Sequence, residues 1–146
     1  MPETDDISLS ERCRRANKIW QKTGKKCFVL SIHANAAGNG GWMNAQGWCV
    51  FTSKGKTKSD DIATYFWNSM KNKFPDRKMR LDTSDGDVDW EESFTILANT
   101  QCPAVLTENF FMNNKDDCKL IMSSVGRQKI ADAHVEAIKE ILSKLY

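Results

Sequence analysis

Two stretches of the 146-residue chain are apolar for the length of a strand, and they narrow the folds open to it. Cys27-Phe28-Val29-Leu30-Ser31-Ile32-His33 runs largely apolar and then delivers a histidine and, two residues on, Asn35. Pro103-Ala104-Val105-Leu106-Thr107-Glu108 repeats the pattern and ends on a glutamate. Strands that do not alternate apolar and polar residues are covered on both faces, as parallel strands of α/β sheets are. Polar groups at the carboxyl ends of such strands stand where those sheets place their binding sites.

Helical periodicity fills the intervals. Leu9, Cys13, Ala16 and Trp20 recur at helical spacing behind Ser8 or Ser10, with Glu11 placed as a capping-box partner for Ser8. Ile62, Tyr65, Phe66, Met70 and Phe74 give an amphipathic helix over 59–74 that Pro75 ends. Ile130, Ala133, Ala137, Ile138, Ile141 and Leu145 share one face of the longest helix, from about 125 to 145. Residues 47–52 read as a further strand, 77–83 as a short edge strand, 92–99 as a short helix, and Lys115-Asp116-Asp117 as a helix start. The long stretch 35–47, rich in Asn, Ala and Gly, reads as a functional loop. Helices alternating with buried strands predict one α/β domain over 1–146, a sandwich with a mainly parallel sheet.

Composition excludes several classes of function. A net charge of +2 without any Lys/Arg block gives no nucleic-acid footprint. No stretch nears the roughly 18 apolar residues of a membrane helix, so no membrane insertion is expected. Five cysteines, odd in number and without a C-x-x-C pair, read as small core residues kept reduced. The acidic start Met-Pro-Glu-Thr-Asp-Asp is not a signal peptide, which implies synthesis in the cytoplasm. The stretch 82–92 carries Asp82, Asp85, Asp87, Asp89, Glu91 and Glu92, but fails the register of a calcium loop and is expected to be solvated.

The chemistry then rests on few residues. Of the two histidines, His134 falls near the apolar face of the last helix and reads as structural. His33 closes a strand and is either a site residue or a satisfied structural histidine. Glu108 closes another apolar strand, where a carboxylate has poor company unless paired or functional. If the two strands are neighbours, an imidazole ligand beside a free carboxylate is the layout of zinc hydrolases. A metal-free hydrolase using His33 and Glu108 as acid and base competes with it. A serine-histidine triad ranks lower, since no Gly-x-Ser-x-Gly elbow is present.

Ser31-Ile32-His33-Ala34-Asn35-Ala36, taken with Pro103 to Glu108, Phe111 and Asn114, resembles the zinc-dependent N-acetylmuramoyl-L-alanine amidases of bacterial autolysins and phage endolysins. Ser8-Leu9-Ser10-Glu11-Arg12 with Ala16-Asn17, and Gly126-Arg127 with Ile130-Ala131, extend the likeness over nearly the whole chain. The resemblance implies a three-layer sandwich with a twisted sheet, His33 as a zinc ligand and Glu108 as the catalytic glutamate. It implies a peptidoglycan substrate cut between the lactyl group of N-acetylmuramic acid and the first L-alanine of the stem peptide. Asn35 would neighbour the metal, and Trp42 and Trp90 are candidates either for substrate contact or for packing. Residues 36–47 and 82–92 would line the groove.

The family pattern also has a Gly-His-Gly histidine and a helix glutamate as zinc ligands, and this sequence holds no Gly-His-Gly. The resemblance therefore implies a domain short of its first strand or strands and first helix, with an incomplete zinc site. Truncation, completion by another polypeptide and decay of the domain are the open accounts. An unpaired sheet edge would then invite self-association. A catalytically inactive module that binds peptidoglycan or a partner chain is the alternative function. Action on the cell wall would follow endolysin-type release or export.

Overall fold

Seven of the eight residues of one strand, Ala104–Phe111, are buried, and Glu108 alone is only half covered. Such a strand belongs at the middle of a sheet. The computed structural model, which describes residues 4–146, places it there. In chain order the elements are α1 (Leu9–Lys22), β1 (Val29–Asn35), β2 (Cys49–Thr52), α2 (Lys58–Lys73), β3 (Trp90–Glu91), α3 (Thr95–Ala98), β4 (Ala104–Phe111), α4 (Lys115–Met122) and α5 (Ser124–Leu145). The sheet runs β1-β4-β2-β3. β1 is parallel to β4 and β3 to β2, while β2 lies antiparallel to β4. The sheet is mainly parallel, as expected, with two parallel pairings, and is made mixed by one antiparallel seam at its centre.

Helices cover both faces, giving an α/β sandwich. Under α2 and α5 lies the main core, where Val50, Val105 and Phe110 of the sheet side meet Ile62, Phe66 and Met70 of α2 and Ala133, Ala137 and Ile141 of α5. Among the described residues that cluster holds thirteen buried hydrophobic side chains against three on the opposite face, which gathers Leu97, Ala104 and Leu106. At about 1.5–3 kcal/mol for each large side chain, the α2/α5 side supplies most of the burial energy. The thinly covered face is left free to carry a site.

The helix starts follow their capping chemistry. Thr57 and Asp60 form a capping box at α2. At α1 the expected box is half made: Ser8 accepts from the Glu11 amide, but the Glu11 carboxylate turns to Arg14 and Arg15. Asn114 caps α4, and Ser123 caps α5.

Two departures from the sequence expectation matter for the site. β4 does not stop at Glu108 but runs on to Phe111 through an irregularity in its pairing with β1, at which Phe110 takes a φ of 69°. A bulge of this kind turns the strand and re-aims the residues after it. Phe110 packs against Phe74 in the main core, and Phe111 lies under the Arg80 guanidinium. Residues 77–83 do not form an edge strand; only Met79 bridges to Trp48, while the Arg77 and Arg80 side chains reach Asp117 and the Cys49 thiol. Among the described residues nothing pairs with the outer edge of β1.

Candidate functional site

His33 of β1 stands opposite Glu108 of β4, and Cys49 of β2 stands opposite the same glutamate from the other side. Residues paired across a sheet share a face, so three strands present His33, Glu108 and Cys49 in one row. The row lies on the thinly covered face. A cleft of about 760 Å³ opens over His33 and Glu108, walled by Leu9, Arg12 and Ile19 of α1 and by Phe94 and Thr95 at the start of α3.

Each member of the row has a distinct state. His33 is exposed, and its Nε2 shares a 2.9 Å hydrogen bond with the Ser31 hydroxyl. Glu108 is half-buried, and its Oε2 is enclosed without a donor. Burial lifts its carboxyl above the usual carboxylate range, which suits a group that must both take and return a proton. Cys49 is fully buried, and burial pushes its thiol up to about 11. A neutral thiol is a poor nucleophile and a poor ligand, so Cys49 serves as packing.

Polar side chains from the sequel of β4 hold the surrounding backbone. Asn109 donates from Nδ2 to the His33 carbonyl at 2.9 Å and accepts the Trp48 indole N–H at 2.9 Å, which fixes the end of β1 against β4 and the start of β2. Asn113 accepts from the Ala37 amide and donates to the carbonyls of Ala37 and Gly41, and its own carbonyl accepts from Met43. Asp117, 1% exposed, accepts the Gly47 amide at 2.7 Å and the Phe111 amide at 3.1 Å. The 35–47 loop is therefore tethered along its length rather than hanging free.

The remaining residues expected at the site are dispersed. Asn35 is half-buried with its amide against the Cys49 thiol. Trp42 is exposed on the tethered loop. Trp90 does not line the cleft: it sits in β3 at the far edge of the sheet, beneath the Arg80 guanidinium. His134 is structural, its two ring nitrogens engaged by Thr107 and the Ile130 carbonyl. Sequence reading missed Asn109, Asn113 and Asp117. The run of asparagines after an apolar strand is a faint signal for the first two; Asp117 had none beyond a helix start.

Zinc chemistry asks for about three protein ligands. Among the described residues His33 belongs to no group of three or more His, Cys, Asp or Glu at ligand spacing; the one such group is Asp60, Asp87 and Asp89, elsewhere in the fold. The donors around His33 thus fit one position of a zinc site and do not complete it.

The fold is thus an α/β sandwich that sets an imidazole opposite a half-buried carboxyl on adjacent parallel strands, over a cleft. The family model described as N-acetylmuramoyl-L-alanine amidase matches residues 1–140, and the chain belongs to that family. It is 27% identical over 138 residues to the endolysin of Bacillus phage SPP1, and 28% identical over 133 residues to the N-acetylmuramoyl-L-alanine amidase CwlM of Bacillus licheniformis. These alignments take in 92% and 90% of the chain but 45% of each relative, so the chain spans about half the length of the curated relatives it matches. Among solved structures, the N-acetylmuramoyl-L-alanine amidase of Clostridium difficile 630 superposes with a TM-score of 0.77 at 23% identity, covering 99% of this chain and 72% of that one. The N-acetylmuramyl-L-alanine amidase Ami1 of Mycobacterium smegmatis gives 0.75 at 23% identity, covering 98% and 65%. These likenesses carry the fold.

Proposed function

We propose that residues 1–146 form a single amidase catalytic domain that acts on peptidoglycan, at the amide between N-acetylmuramic acid and the L-alanine of the stem peptide. The observation that carries the reading is the Glu108 carboxyl, enclosed on one oxygen, raised by burial and set opposite His33 over an open cleft. Glu108 takes a proton from the attacking water as its oxygen bonds the lactyl carbonyl carbon. It gives that proton to the alanine nitrogen as the carbon–nitrogen bond breaks. His33 supplies one zinc ligand; zinc, when bound with its further ligands, would polarise the carbonyl and acidify the water. Asn35 and exposed Trp42 border the strand ends where the glycan and peptide would lie. Trp90 is too far along the sheet to take part through the cleft.

A module that only binds peptidoglycan or a partner chain has less support, because binding gives no reason to bury an unpaired carboxyl in the cleft. Among the described residues no helix is long and apolar enough to cross a membrane, and action on the cell wall would follow endolysin-type release or export. Self-association through the open edge of β1 is tested by the oligomeric state over a dilution series.

The deciding experiment incubates the zinc-supplemented chain with purified sacculi and measures new amino-terminal alanine. Glu108→Gln is expected to lower release by about 10²–10⁴-fold, the usual worth of a proton-transfer group, and His33→Ala to abolish zinc-dependent release. Release unchanged by Glu108→Gln overturns the role of the glutamate. Sacculus binding without any release by the wild-type chain turns the reading to the binding module.

A further inference from the structure

The acidic stretch 82–92 is only partly the solvated loop its composition suggests: most of it reaches solvent, but Asp89 is buried. The stretch folds back so that Asp87 and Asp89 meet Asp60 of the first turn of α2, and one carboxylate oxygen from each lies within 4.8 Å of the others. Asp89 is 1% exposed and Asp60 9%. Among the described residues none of the three is ion-paired to a lysine or arginine. Like charges gathered out of water repel strongly unless something positive joins them.

Asp89 marks the place. Its Oδ2 accepts from the Thr52 hydroxyl at 2.6 Å, but Oδ1 is fully enclosed and meets no donor. Burial above all, with the facing charges of Asp87 and Asp60, pushes its carboxyl up to about 7. A buried carboxyl oxygen without a donor, on a side chain gathered with two further carboxylates, calls for either a cation or a shared proton. Solvent reaches Asp60 and Asp87 through a cavity of about 460 Å³ that Lys56, Thr57 and Asp85 also border.

We propose that Asp60, Asp87 and Asp89 bind one calcium ion, separate from the His33–Glu108 cleft. The ligand chemistry selects the ion. All three donors are hard oxygens, which suit calcium or magnesium rather than zinc. The three carboxylate oxygens lie within 4.8 Å of one another, close enough for one ion to reach all three; calcium accepts such an irregular set, whereas magnesium demands a near-ideal octahedron and retains most of its water. Water entering by the cavity completes the six to eight oxygens that calcium takes. The ion would join the end of β2, the start of α2 and the loop that becomes β3, and so hold Trp90 beneath Arg80.

The test titrates calcium, and terbium as its luminescent substitute, into the intact chain. Trp90 follows Asp89 directly and would sensitise the bound terbium. One saturable site per chain is expected, displaced by excess calcium and absent in Asp87→Asn, whose half-exposed position makes it the variant safest to fold. At 100 times Kd, calcium should raise the thermal midpoint by roughly 5–10 °C for a domain of this size. Lack of sensitised luminescence together with an unmoved midpoint at millimolar calcium overturns the proposal and leaves a shared proton as the resolution of the cluster. Binding that persists unchanged in both Asp87→Asn and Asp89→Asn overturns it equally, since the ion would then sit elsewhere.

Discussion

Asp117→Ala is the substitution that best measures how the site is held. The Asp117 side chain is 1% exposed, and its Oδ2 alone satisfies two backbone donors: Gly47, where the long loop enters β2, and Phe111, at the end of β4. Truncation leaves both N–H groups enclosed without an acceptor, at about 1–3 kcal/mol each. The Arg77 guanidinium stands 3.7 Å away and is a third exposed, so losing that pair adds little. The expected loss is about 4 kcal/mol, toward the low end if water enters the space, against a typical total of about 5–15 kcal/mol. With a urea slope near about 2 kcal/mol/M, the unfolding midpoint should fall by about 2 M. Asp117→Asn keeps the shape and one acceptor oxygen and should recover about half of the loss. Before global unfolding, the Ala variant should also expose 36–47 to protease, because Gly47 is that loop's fixed end. A midpoint shift under about 0.5 M, with unchanged proteolysis, would refute the argument that this carboxylate holds loop and strand together.

Two further predictions test the packing on the other face of the sheet. His134 is buried against Phe66 of α2 and Thr107 of β4, and burial lowers its pKa. The unfolded chain therefore takes up the proton first, so stability should decline as pH falls below about 6.5; the urea midpoint of His134→Gln, subtracted from wild type between pH 7 and 5, should isolate that decline, and a flat difference would count against it. Gly126 lies where α5 leaves α4, and a Cβ there would stand 2.0 Å from the Leu120 carbonyl oxygen. Backbone cannot swing aside as a side chain can, so Gly126→Ala should cost about 3 kcal/mol, the upper end for overpacking, or separate the two helices; a thermal midpoint within a degree or two of wild type would contradict this.

What could be read from the sequence divides by how local its cause is. The helices over 9–22, 58–73 and 124–145 and the strands β1, β2 and β4 were legible because periodicity and apolar runs are properties of neighbouring residues. His33 and Glu108 were legible as a pair for the same reason: each closes an apolar run in the sequence, and two such strands need only lie side by side to bring them together. The mixed direction of the sheet was not, since nothing local states which way a strand is laid against a partner far along the chain. Asp117 was hidden because its donors come from Gly47, seventy positions back, and from the far side of a bulge. The acidic loop misled in the same way. Counted along the chain its carboxylates look like a solvated surface, yet Asp89 is enclosed once Thr52 and Asp60 close over it. A charge run reports solvation only while its backbone stays in water. Here two of its carboxylates are drawn to the N-terminal turn of α2, whose dipole favours negative charge but does not cancel three. That imbalance sets an experiment apart from the others: in calcium-free buffer, Asp89→Asn should stabilise the fold, by removing one of three mutually repelling carboxylates while keeping the Thr52 bond through its amide oxygen. In saturating calcium the same substitution should destabilise it relative to wild type. The sign change between the two buffers is the signature of a cation, and its absence would assign the cluster to a shared proton.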